Sequence, residues 1–193
     1  MASDIFTDDF KLEPYWWEAT PRPVLETAVV PATADVAIVG SGYTGLNAAL
    51  VLARAGRCVV VFDAQDAGFG CSSRNGGQIG TSIKPGLDEL TARYGADTAR
   101  AILRDGHRSL AWIEELVREE QIDCDFKVPG RFHAAHNPVQ YEKLARQIAS
   151  QPEGLEVPAH VVPRAEQRRE LGTDSYHGGV VFEKHASLDP ARY

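Results

Sequence analysis

The spacing of hydrophobic and polar positions changes character several times along the chain. Residues 1–34 keep no period: Pro14, Pro21, Pro23 and Pro31 interrupt it, and an aromatic knot stands out at Tyr15-Trp16-Trp17. This punctuation predicts an ordered arm with little regular structure. The area that such rings bury favours a hydrophobic anchor laid on the domain surface over a partner-binding patch. From Asp35 the pattern turns: Val36-Ala37-Ile38-Val39 is wholly apolar, Gly40-Ser41-Gly42-Tyr43-Thr44-Gly45 follows, and Leu46, Ala49, Leu50 and Ala53 then recur at helical spacing. That predicts a buried strand, a glycine-rich turn and a helix. Gly56 is placed to stop the helix, and Cys58-Val59-Val60-Val61-Phe62 reads as a second buried strand ending on Asp63.

Further on, Leu110, Ile113, Leu116 and Val117 predict an amphipathic helix over residues 107–121, packed on the nucleotide layer, with Glu114, Glu115, Glu119 and Glu120 on its solvated face. Residues 126–136 carry a glycine turn between strand-like runs and begin another sheet. Residues 164–171, before Gly172, predict a helix with its arginines in solvent, and Val180-Val181-Phe182 behind Gly178-Gly179 predicts a further strand. His133 and His136 flank two alanines but have no third donor nearby, so no metal site is expected. The organisation that follows is an arm over residues 1–34, a nucleotide-binding unit with its helices over 35–125, and over 126–193 the start of a second domain with a return toward the nucleotide-binding unit.

Composition narrows the partners. With 44% hydrophobic and 24% charged residues the chain can bury a core, and a formal net charge of -7 gives no general attraction to phosphate backbones or anionic lipid. Neither nucleic acid nor membrane is an expected partner. Cys58, Cys71 and Cys124 are odd in number and widely spaced, and the first ten residues hold three aspartates and no Lys or Arg. No disulfide framework, zinc site, secretory leader or membrane span is indicated, which points to the cytoplasm.

Strand, turn, helix, strand and terminal acid together make a mononucleotide-binding βαβ unit. Gly40 permits the tight turn, Gly42 lets backbone N–H groups approach a pyrophosphate, and Gly45 lets the helix pack close to the strand. Unpaired N–H groups and the positive end of the helix dipole then stabilise phosphate without a lysine. Asp63, 18 residues after Gly45, stands close to the roughly 20-residue spacing at which a carboxylate accepts hydrogen bonds from ribose hydroxyls. It would repel a 2′-phosphate. FAD and NAD share this unit, and the fingerprint alone does not separate them.

The run Gly70-Cys71-Ser72-Ser73-Arg74-Asn75-Gly76-Gly77-Gln78 is small, polar and glycine-dense, with room for a flat ring system or simply the character of a surface loop. Joined to residues 35–63, it resembles the FAD-dependent amino acid and amine oxidoreductases of the D-amino acid oxidase superfamily, especially the gamma-glutamylputrescine oxidoreductase-like branch. The Tyr-Trp-Trp arm and Gly130-Arg131-Phe132-His133-Ala134-Ala135-His136 support the resemblance.

What the resemblance implies is an α/β, Rossmann-like FAD-binding domain with a parallel sheet, incomplete in this chain, followed by the start of an α+β substrate domain. Non-covalent FAD would take a hydride from the carbon beside a substrate nitrogen, giving an imine that water hydrolyses, with electrons passed to oxygen or another acceptor. Gly40, Ser41, Gly42, Tyr43, Thr44 and Gly45 would hold the pyrophosphate, Asp63 and Ala64 the adenosine ribose, and Ser72, Ser73, Arg74, Asn75, Gly76 and Gly77 would lie near the flavin. The substrate would be a small amine or amino acid, and no catalytic base is identified.

Two positions depart from the family's habit. Asp63 stands where Glu is common, and Cys71-Ser72-Ser73 where Ala-Ser-Gly is commoner. Relatives are about twice as long, so the chain reads as an N-terminal portion that a complementing C-terminal piece would complete. An NAD-dependent dehydrogenase and a non-catalytic nucleotide-binding fragment are the alternative functions.

Overall fold

The computed structural model describes residues 5–22, 24 and 28–193, so Pro23 and the first four residues of the arm lie outside it. By its contacts the chain divides into two compact units, Met1–Gly77 with Asp189–Tyr193, and Gln78–Leu188. That division lies ahead of the break at residue 125 suggested by the sequence pattern.

In the first unit the described residues of the arm contain one short helix, α1 (Tyr15–Ala19), which starts directly after Pro14. Strand β1 (Val36–Val39) pairs in parallel with β2 (Val59–Phe62), Val36 opposite Val59 and Val39 opposite Phe62, and helix α2 (Tyr43–Arg54) connects them. The helix ends where expected, with Gly56 at φ +77 just beyond it. The expectation of a strand buried on both faces is corrected for β1. Val36 and Ile38 are half-buried while Ala37 and Val39 are exposed, Val39 at 90%. Among the described residues β1 has one strand neighbour, β2, and α2 packs against this pair, leaving alternate side chains in solvent.

The second unit runs through β3 (Gln78–Ile79), α3 (Leu87–Tyr94), α4 (Ala96–Glu119), β4 (Arg131–Ala134), α5 (Pro138–Ala149), β5 (Ala159–Val162), β6 (Gly179–Phe182) and β7 (Ala186–Ser187). Strands β4, β6 and β5 form an antiparallel sheet with β6 in the centre, and β3 pairs antiparallel with β7. A central strand needs close neighbours on both sides, which explains Gly178-Gly179: an added Cβ would stand 2.5 Å from the Val162 carbonyl oxygen and 2.3 Å from that of His133.

Ala135, Leu144 and Val180 form the core over this sheet, with Tyr141, Ile148 and Phe182 packed around them. Helix α5 is placed by its first turn, where the Asn137 side chain accepts the Gln140 N–H at 2.8 Å and Pro138 takes the first helical position.

Two expectations change here. Helix α4 begins at Ala96, well before residue 107, and groups with the second unit, where it packs against α3. The predicted helix at 164–171 is a 3-10 turn over Arg164–Arg169. Its cause is Gln167, whose buried amide donates to the Thr173 carbonyl at 3.0 Å and accepts the Gly178 N–H at 2.8 Å, tying the turn down. The arginines do lie outside, Arg169 on Glu166 at 2.9 Å and Arg168 on Asp174.

Candidate cofactor-binding site

Strand β1 leaves through Gly40 at φ +100, a conformation that L side chains rarely adopt. Helix α2 then starts so close to the strand that a Cβ on Gly45 would lie 2.0 Å from the Gly40 carbonyl oxygen and 3.3 Å from Ile38 Cγ2. A Cβ on Gly42 would stand 2.9 Å from the Ser72 hydroxyl, which accepts the Tyr43 N–H at 3.0 Å. The N–H groups of Gly42, Thr44 and Gly45 have no acceptor among the described residues. They concentrate partial positive charge at the start of α2. Ser41, Tyr43, Leu46, Ser72 and Trp17 line a cavity of about 200 Å³ at this end of the helix.

Asp63 closes the turn from the other strand. One carboxylate oxygen accepts the Ser41 N–H at 2.7 Å and its hydroxyl at 2.6 Å, and the other accepts the Gln65 N–H at 3.0 Å. These bonds, Ser41's foremost, lower the Asp63 pKa to about 2, so it is ionised at neutral pH. The carboxylate therefore has a structural task that its sequence position does not reveal: it ties the end of β2 to the turn after β1. Being exposed, it keeps acceptor capacity for a further donor, with Ala64 exposed beside it.

The glycine-rich loop is held largely by its own side chains. Ser73 is buried, donates to the Gly68 carbonyl at 2.6 Å and accepts the Trp17 indole N–H at 3.0 Å. Arg74 donates to the Phe69 carbonyl at 2.8 Å and lies 4.4 Å from the centres of both the Trp17 and Phe69 rings. Asn75 donates to the Cys71 and Ser72 carbonyls and accepts the Gly77 N–H, while its own carbonyl accepts the Trp16 indole N–H at 2.8 Å. Gly76 is exposed and Gly77 buried.

All fourteen residues expected at the site thus lie in the first unit, and Ser72 and Asp63 are bonded directly to the 40–45 turn. The arm attaches through its aromatic knot as expected, but sequence reasoning missed two further contacts: Arg22 sits 4.5 Å from the Trp17 ring, and Thr20 donates to Asp189 at 2.9 Å. The aromatic knot was the arm's only visible signal. Among the described residues no three His, Cys, Asp or Glu side chains gather as a metal group, and no helix is long and apolar enough to cross a membrane.

Open amides at a helix start and an ionised carboxylate at the neighbouring strand end fit the diphosphate and ribose of a dinucleotide. The family model of the FAD-dependent oxidoreductases (DAO) matches residues 35–193. The chain belongs to this family. Family membership selects flavin where the fingerprint alone left FAD and NAD open. The gamma-glutamylputrescine oxidoreductase of Escherichia coli K12 is 37% identical over 158 residues, covering 82% of this chain and 37% of that protein. A probable oxidoreductase, OrdL, of Rhizobium meliloti is 35% identical over 169 residues, 86% of this chain and 39% of the relative. The chain thus spans under half the length of the curated relatives it matches. Among solved structures, glycine oxidase from Geobacillus kaustophilus superposes with a TM-score of 0.63 at 22% identity, over 82% of this chain and 41% of that one, a likeness of fold.

Proposed function

We propose that this chain supplies the pyrophosphate and ribose end of an FAD site in an enzyme that oxidises a C–N bond of a small amine or amino acid. The observation that supports it best is the set of open N–H groups at the start of α2, beside an Asp63 held ionised by Ser41. The two FAD phosphates would rest on the amides of Gly42, Thr44 and Gly45, and Asp63 would take a ribose hydroxyl while repelling a 2′-phosphate. The backbone around Ser72, Gly76 and Gly77 would face the flavin, since the side chains of Ser73, Arg74 and Asn75 are engaged within the loop and arm. FAD, when bound, would supply the hydride acceptor for the C–N bond, leaving an imine for water to hydrolyse and electrons for oxygen or another acceptor to take up. The three cysteines form no disulfide, which supports a reducing, cytoplasmic setting.

A non-catalytic role for the chain by itself is favoured by one observation, the two-stranded β1–β2 sheet with Val39 in solvent, which a complementing segment would cover. The two readings are separated by one preparation. Purified chain is mixed with FAD, passed through gel filtration, and assayed for bound flavin absorbance and amine-dependent peroxide. Retained flavin with negligible peroxide is the expected result. In Gly42→Ala, whose new methyl meets the Ser72 hydroxyl, retained flavin should fall at least tenfold; unchanged flavin would remove the phosphate assignment.

A further inference from the structure

The second unit contains a cavity of about 290 Å³. In a chain of net charge -7, its wall carries no carboxylate among the described residues: the titratable side chains on it are His107, Arg131, Lys184 and His185. Arg131, on β4, lies with its guanidinium 5.1 Å from the centre of the Phe182 ring, and its Nε is sealed from solvent without a hydrogen-bond acceptor. No described residue forms an ion pair with it. His185 is buried against Gly80, its ring 3.2 Å from where a Cβ would stand, and burial, then the Arg131 charge, disfavour its protonated form. Apart from the Phe182 ring, no described residue thus answers the Arg131 charge. The remaining wall is largely apolar, with Leu103, Leu155, Val157 and Phe182 on it.

Arg131 is half-buried, and its terminal N–H groups, unlike the sealed Nε, remain open to an anion in the cavity. A planar guanidinium matches the two oxygens of a carboxylate, and hydrocarbon surface gains by leaving water for the apolar wall. We propose that this cavity binds a small aliphatic carboxylate, its carboxyl group on Arg131 and its chain against Leu103, Leu155, Val157 and Phe182. Every residue involved belongs to the second unit, so the proposal stands independently of the flavin.

The test uses the 193-residue chain at neutral pH, titrated calorimetrically with hexanoate, hexan-1-ol and hexylamine. Hexanoate should bind at least tenfold more tightly than hexanol, and hexylamine should show no binding. In Arg131→Gln, hexanoate affinity should fall at least tenfold, to the level of the alcohol. Equal binding of acid and alcohol to the native chain, no binding of hexanoate, or an undiminished affinity in folded Arg131→Gln would each overturn the proposal. The three-ligand series on the native chain decides the matter even where the variant fails to fold.

Discussion

In the second unit the side chains sealed from water are mainly apolar, Leu90, Leu144, Val162 and Val180 among them, whereas among the described residues of the first the sealed ones are Ser41, Ser73, Gly77, Asp189 and Pro190. The exposures run the opposite way: Val39, Val51 and Leu46 of the βαβ unit stand 90%, 67% and 46% exposed. One region is held by hydrophobic burial over a sheet. The other is held by hydrogen bonds gathered around a site, with its apolar faces uncovered. A hydrogen-bonded turn fixes backbone N–H groups in place, which a phosphate site requires, but contributes less net stability than a packed core.

The contrast can be tested by substitution. Leu144→Ala removes a buried side chain from the core and should cost about 2–5 kcal/mol. The loss should appear in denaturant titration, with faster hydrogen exchange confined to residues 78–188. Equal loosening of the βαβ unit would break the distinction. A smaller effect lies on the acid side. The depressed Asp63 pKa adds stability that is present above its ordinary value of 3.8 and lost as pH falls through about 2. An NMR titration of its carboxyl carbon should therefore centre near 2, and a midpoint at 3.8 would mean that the Ser41 bonds do not persist in solution. Least of all should come from Val39→Thr, expected to change stability within about 0.5 kcal/mol because the side chain is already in water. A large loss there would show that the β1 face is covered in solution.

The βαβ unit was legible because each of its steps is local. Gly40 turns the strand, Gly45 touches the Gly40 carbonyl, and Gly56 stops the helix, all within a span that one hydrophobic period reveals. The strands at Arg131–Ala134 and Gly179–Phe182 were legible for the same reason. What was not legible depends on partners far away in the chain. Ser73 takes its donor from Trp17, 56 residues earlier, and no spacing rule links them. Gln167 converts an expected helix into a short turn through a carbonyl and an amide that its own sequence neighbourhood does not announce. The exposure of β1 was missed because an apolar run reports what a strand could bury and not which neighbours arrive to bury it.

The bond from Thr20 to Asp189 also sets an order in time. The first unit is discontinuous, closed by residues that follow the whole of Gln78–Leu188. On a ribosome adding about 5–20 residues per second, the arm and the phosphate-binding turn emerge and then wait roughly 7–29 seconds before Asp189 and Pro190 reach them. During that interval Tyr43 lacks the Pro190 carbonyl to which its hydroxyl donates in the finished fold. The second unit, whose sequence is continuous, can therefore complete itself before the contacts that close the nucleotide-binding turn are made.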